Sequence, residues 1–96
     1  VLLGRVVGTV VATRKDEKLE GLKLLVVQVH DTQNKPASTY VVAVDSVGAG
    51  VGEMVLYATG SSARQTAATK DRPVDAVIMA IIDTWSVGET TVYTKE

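Results

Sequence analysis

Residues 45–64 read DSVGAGVGEMVLYATGSSAR, and this one stretch holds four of the chain's eight glycines, Gly48, Gly50, Gly52 and Gly60. Glycine weakens a strand, so its density here needs a reason: a backbone angle closed to other residues, or a second backbone coming close. The order is a tight Gly-x-Gly-x-Gly turn, an apolar strand over residues 53–59, and a Gly-Ser-Ser start to a short helix. Ser61 or Ser62 can cap that helix by accepting from an orphan amide. Small residues on both sides of a strand make a surface that another subunit can approach, and the rest of the chain reads as the barrel that holds it.

Working outward, residues 3–13 read as a first strand, with Gly8 marking a bulge or a close approach. TRKDEKLE at 13–20 is a charged connection, and LKLLVVQVH at 22–30 a second strand, buried in part on both faces. DTQNKPAS at 31–38 is the clearest loop, broken by Asn34, Lys35 and Pro36. TYVVAV at 39–44 gives a third strand before the glycine turn. Beyond the short helix, Pro73 leads into VDAVIMAIID at 74–83. Its length suits helix or strand, and its valine and isoleucine favour a buried strand. TTVYT at 90–94 closes the pattern. The sequence therefore predicts an all-β domain spanning residues 1–96: a small five- to six-stranded Greek-key barrel of the OB type with one short helix.

Composition agrees. Valine dominates, phenylalanine is absent, and Tyr40, Tyr57, Trp85 and Tyr93 are the only aromatic residues. Such a wealth of β-branched residues suits strands. A chain of 96 residues supports a single modest core, stable only by a narrow margin, so association helps it. The net charge of −1 leaves no electrostatic footprint for nucleic acid or an anionic membrane. There is no cysteine, hence no disulfide, thiolate metal site or cysteine nucleophile, which fits a cytosolic protein. No apolar run reaches the roughly 18–20 residues of a membrane-spanning helix.

Chemistry finds little to work with. His30 is the only histidine, so no histidine pair can hold a metal, and its place at a strand end suggests a surface or half-buried residue. Asp45, Asp75 and Asp83 flank strands, but nothing in the sequence makes any two converge as an acid–base pair. Gly60-Ser61-Ser62 is not a nucleophile elbow. The glycine turn enters a strand and lacks the Gly-Lys-Ser/Thr ending of a phosphate loop. No cofactor, metal or catalytic residue is expected. An OB-type barrel binding single-stranded nucleic acid or another ligand is the alternative, although such barrels use aromatic platforms and a basic groove. Here the basic residues are scattered, and Arg64 and Arg72 can equally face carboxylates or solvent.

Four segments taken together, GRVVGTVVATRK, LEGLKLLVVQ, DSVGAGVGEMVLYATGSSAR and RPVDAVIMAIID, resemble the pentameric vertex proteins of bacterial microcompartment shells, the EutN/CcmL family. They run in family order from Gly4 to Asp83. The resemblance implies a homo-pentamer in the cytoplasm that caps the corners of a polyhedral shell, beside hexameric and trimeric shell proteins, with no membrane or nucleic-acid partner. A ring needs two different faces on each subunit that match each other. Candidates for the subunit interface, or for the lining of the narrow axial pore of the family, are Asp45, Val47, Gly48, Ala49, Gly50, Gly52, Gly60, Ser61, Ser62, Ala63 and Arg64. Arg64 is placed to bond a neighbour's carbonyls or a carboxylate.

Overall fold

The computed structural model describes residues 1–13, 17–19, 21–67, 69–70 and 74–95. Seven strands are found there: β1 (Leu2–Val10), β2 (Leu24–His30), β3 (Pro36–Asp45), β4 (Met54–Thr59), β5 (Ala76–Ile81), β6 (Thr84–Val87) and β7 (Thr90–Thr94). The first five close a barrel in the order β1-β2-β3-β5-β4, and β6 and β7 form a separate two-stranded sheet. Barrel neighbours are antiparallel except β3 and β5, which run parallel and meet only at Val44↔Val77 and Asp45↔Ile78. The all-β barrel expected from the valine-rich runs is the fold observed. Among the described residues the helical elements are two short 3₁₀ turns, Glu17–Leu19 and Gly60–Arg64.

Alternation explains the core. Along β2, Leu25 and Val27 point inward and are buried, while Leu24, Val26 and Gln28 are half-buried on the other side, the period of two that a pleated strand imposes. Val6, Leu25, Val27, Val55, Tyr57 and Ile78 fill the barrel. A second cluster of Val44, Ala58, Ala63, Val74 and Val77 lies beneath the Gly60–Arg64 turn. Tyr57 is the one aromatic residue fully inside, and burial pushes its phenol pKa up.

Gly4 makes room for that tyrosine. A Cβ there would collide with Val27 Cγ1 and stand 2.8 Å from the Gln28 carbonyl oxygen and 3.1 Å from Tyr57 Cε1. Gly8 has a different task. It lies where the β1–β2 register slips between Val6 and Gly8, so it marks a bulge, and a Cβ there would meet nothing closer than 3.8 Å.

Several boundaries differ from expectation. β3 begins at Pro36, so residues 36–38 are strand rather than loop. Pro36 pairs with His30, and Gln28 Nε2 donates to the Ala37 carbonyl at 2.8 Å. A proline fits the first residue of a strand because no ladder amide is needed there. The loop contracts to residues 31–35. In it Asp31 Oδ1 accepts from the amides of Gln33 and Lys35, and Asn34 takes a φ of 61°. His30 is buried, rather than at the surface or half-buried, with Nδ1 2.8 Å from Asn34 Oδ1. The ambiguous run at 74–83 is strand over Ala76–Ile81.

Strand β6 was not anticipated. It turns back into β7 through Gly88, whose φ is 61°. This arm is tied down at its base, from both of its strands. Trp85 stacks on Tyr93 with ring centroids 5.0 Å apart and donates from Nε1 to the Thr32 carbonyl at 2.9 Å. Lys95 Nζ reaches Glu53 Oε2 at 2.8 Å. The molecule measures 46 × 23 × 23 Å.

Candidate subunit-contact surface

The first half of the glycine turn is organised by one carboxylate. Asp45 Oδ1 accepts from the amides of Val47, Gly48 and Ala49 at 3.0, 3.1 and 3.1 Å. The Asp45 side chain is only 3% exposed, and Lys23 Nζ lies 3.7 Å from its other oxygen. An aspartate that bonds the amides just after it is the usual way to start a turn without a ladder. Gly48 and Gly52 take φ values of 79° and 96°, the left-handed region that side chains avoid, while Gly50 does not. The turn is then stitched to the barrel. Gly52 N donates to the Val6 carbonyl at 2.7 Å, and Arg5 Nη1 donates to the Gly52 carbonyl at 2.7 Å.

Glu53 is the hub that the sequence did not disclose. Its Oε1 accepts from Gly50 N at 2.7 Å while Oε2 holds Lys95. The Lys95 hydrogen bond, with that of Gly50, lowers the Glu53 pKa, and Glu53 raises that of Lys95. Arg5, Gly52, Glu53, Tyr93, Thr94 and Lys95 line a polar cleft of about 410 Å³ between the arm and the barrel. The only advance signal was a lone glutamate at the mouth of a strand, which says nothing about a lysine 42 positions away.

At the other end of β4, the Gly60–Arg64 turn opens on Thr59 in extended conformation, with no side-chain cap. Neither Ser61 nor Ser62 caps it, contrary to expectation. Both serines lie inside the turn, whose N-cap position is Thr59, and the first amide, Gly60 N, donates to the Asp75 carbonyl at 2.8 Å. Arg64 Nη1 donates to the Val74 carbonyl of its own chain at 3.2 Å. Arg72 and Pro73 lie outside the described residues.

The candidate residues therefore sort by burial. Ala49 and Ala63 belong to the subunit's own core, and the Asp45 carboxylate to its own turn. Val47, Gly48, Gly52, Gly60, Ser61, Ser62 and Arg64 are exposed, and Gly50 half-buried. They do not form one patch. The six residues of β4 separate the two turns by about 20 Å at ~3.3 Å per residue. Asp75 and Asp83 also fail to converge, since they flank opposite ends of β5. Among the described residues no three His, Asp or Glu side chains gather as metal ligands.

A sequence model described as "Ethanolamine utilisation protein EutN/carboxysome" matches residues 2–83. The chain belongs to the EutN/CcmL family. Relatives within it agree over nearly its full length. The carboxysome shell vertex protein CcmL of Gloeobacter violaceus is 48% identical over 94 residues, 98% of this chain and 94% of that one. The bacterial microcompartment shell vertex protein GrpN of Rhodospirillum rubrum is 48% identical over 82 residues, 85% of this chain and 92% of its own. Among solved structures, Gloeobacter violaceus CcmL superposes with a TM-score of 0.95 at 47% identity, covering 99% of this chain and 98% of that one. The pentameric shell protein GrpN of Rhodospirillum rubrum gives 0.83 at 45% identity, covering 91% of this chain and 99% of that one. As a member of the EutN/CcmL family, the chain has a match that stops at Asp83, just before the β6–β7 arm.

Proposed function

We propose that this chain assembles as a five-membered ring that caps the corner of a polyhedral microcompartment shell in the cytoplasm, and that it performs no catalysis. The observation that carries the reading is near-complete overlap, at 48% identity, with a protein named for a shell vertex. A pentameric relative with the same barrel supports it. The physical role follows from geometry. A sheet of six-fold tiles is flat, and it closes into a polyhedron only where five-fold tiles replace some of them. Hexameric and trimeric shell proteins are the neighbours such a ring would meet, and no nucleic acid is called for.

Within the ring, we assign the contacts to the exposed members of the two turns. Ser61, Ser62 and Gly60 at one rim, and Val47, Gly48 and Gly52 at the other, offer short side chains that let a neighbour's backbone approach. The test is native mass spectrometry of the purified protein, followed by electron microscopy of shells co-expressed with hexameric tiles. Five-chain particles, and closed shells only when this chain is present, are expected. A monomer at micromolar concentration, or shells that close equally well without it, would sink the reading. Ser62→Glu is expected to break the ring and leave the circular dichroism of the barrel unchanged. An unchanged five-chain mass would remove that turn from the contact.

A further inference from the structure

Strand alternation leaves one charge of the barrel without a counter-charge. In β1, Gly4 and Val6 are buried, while Arg5 between them is half-buried and lines the polar cleft between arm and barrel. Arg5 Nη1 donates to the Gly52 carbonyl at 2.7 Å, and among the described residues Arg5 makes no ion pair. A carbonyl is a dipole, so it orients the guanidinium without neutralising it.

The other charges of the cleft answer one another. Glu53 accepts from Gly50 N through one oxygen and from Lys95 Nζ through the other, at 2.7 and 2.8 Å. Asp83, exposed and outside the cleft lining, adds its attraction to Lys95. Arg5 is therefore the cation left over. Its position is set before any ligand arrives, because Gly52, which holds it, is itself held by a bond from its amide to the Val6 carbonyl at 2.7 Å. Tyr93 makes a firm wall, its ring stacked on Trp85 with centroids 5.0 Å apart. The cleft volume of about 410 Å³ suits a small molecule.

We propose that this cleft is a binding site for a small monocarboxylate, gripped by Arg5, walled by Tyr93 and bordered by Lys95. A guanidinium presents its donors as a planar fork that matches the paired oxygens of a carboxylate. Charge sets the preference among anions. A monoanion balances Arg5, whereas a dianion such as sulfate brings an excess negative charge up to the Glu53 carboxylate. Chloride has the right charge and no second acceptor for the fork.

The test is an NMR titration of the full chain as it assembles, with sodium acetate as the probe at constant ionic strength. Saturable shifts at Arg5 Nε and at the Gly52 and Lys95 amides are expected, with small, non-saturating ones from chloride and sulfate. Arg5→Gln should raise the acetate needed for half-saturation by about tenfold or more. Arg5→Lys keeps the charge and loses the fork, so it should weaken binding even if Arg5→Gln disturbs the fold. Lys35→Met, on the exposed loop at 31–35, should change nothing. Shifts that never saturate, that chloride or sulfate reproduce, or that survive both Arg5 variants would overturn the proposal. So would an acetate-insensitive Arg5 already held by a carboxylate of a neighbouring copy, a result that leaves the ring reading standing.

Discussion

Two side-chain facts decide much of this subunit, one an absence and one a carboxylate. At Gly4 a methyl group would press on the Gln28 carbonyl and on Val27, a rigid β-branched neighbour. Gly4→Ala is expected to cost about 1–3 kcal/mol, read as a lower urea midpoint, whereas Gly8→Ala should leave the midpoint almost unmoved. Equal effects from both would mean that the tightness around Gly4 relaxes freely. Asp45→Ala strips three turn amides of their acceptor. A loss on the order of 2 kcal/mol is expected in thermal melts, with Asp45→Asn recovering part of it because one amide oxygen can still accept. The density of glycine in residues 45–64 announced the turn, but not which glycines need positive φ. Gly48 and Gly52 do and Gly50 does not, because that is settled by the Asp45 and Glu53 bonds rather than by composition. Gly4 gave no warning, since a close approach across strands depends on register.

Strands reveal themselves by apolar and β-branched runs, and six of the seven described ones could be read that way. β6 could not. Four residues, Thr-Trp-Ser-Val, make a strand only by pairing with β7 across a Gly88 turn, and an isolated two-stranded hairpin is marginal in water. Its clue was Gly88 between two β-rich tetrads. The serine cap failed because the turn begins one residue earlier than the serines suggest, with Thr59 at the cap position and Ser61 and Ser62 inside it. The arm's dependence on its tethers leads to a pH prediction. Glu53 has its pKa lowered, chiefly by Lys95, so this stabilisation is present above the unfolded carboxylate value and is lost as pH falls through the folded one. Lys95 has its pKa raised, so its share is present below the unfolded lysine value and fades as pH rises through the folded one. Amide protection in β7, taken relative to the intrinsic exchange rate at each pH, should therefore fall at the acid and alkaline extremes, and Lys95→Met should return the Glu53 titration towards ordinary carboxylate behaviour. A Glu53 titration that Lys95→Met leaves untouched would show that Gly50 alone sets it.

The whole molecule is a small barrel with an appendage, and its interior is mostly valine and alanine, with Leu25, Met54, Ile78 and a single tyrosine. Cores of this kind bury little area per residue, so much of the operating stability is expected to come from neighbours. The melting temperature should therefore rise with protein concentration, and each ring contact should bury on the order of 1,200 Å² or more. Gly50→Asp examines the same scale. A Cβ at Gly50 meets only Glu53 Oε1, at 3.5 Å, so the fold should survive with a small loss from like charges. If Gly50 faces a neighbour, the ring should dissociate, as analytical ultracentrifugation would reveal. A five-chain species of wild-type sedimentation would remove the glycine turn from the contact. At this scale the sequence was most legible, because barrel class and assembly type depend on patterns spread along the chain. The division of the small-residue segment between two rims was hidden, for it follows from the length of β4 and not from its composition.

Nature has also left an optical label on this subunit. Trp85 is the sole indole, and it sits on the arm, hydrogen-bonded to the Thr32 carbonyl, not inside the barrel. Its fluorescence therefore watches the appendage while ellipticity watches the barrel. One sample, without dyes, can report whether the arm lets go before the barrel melts.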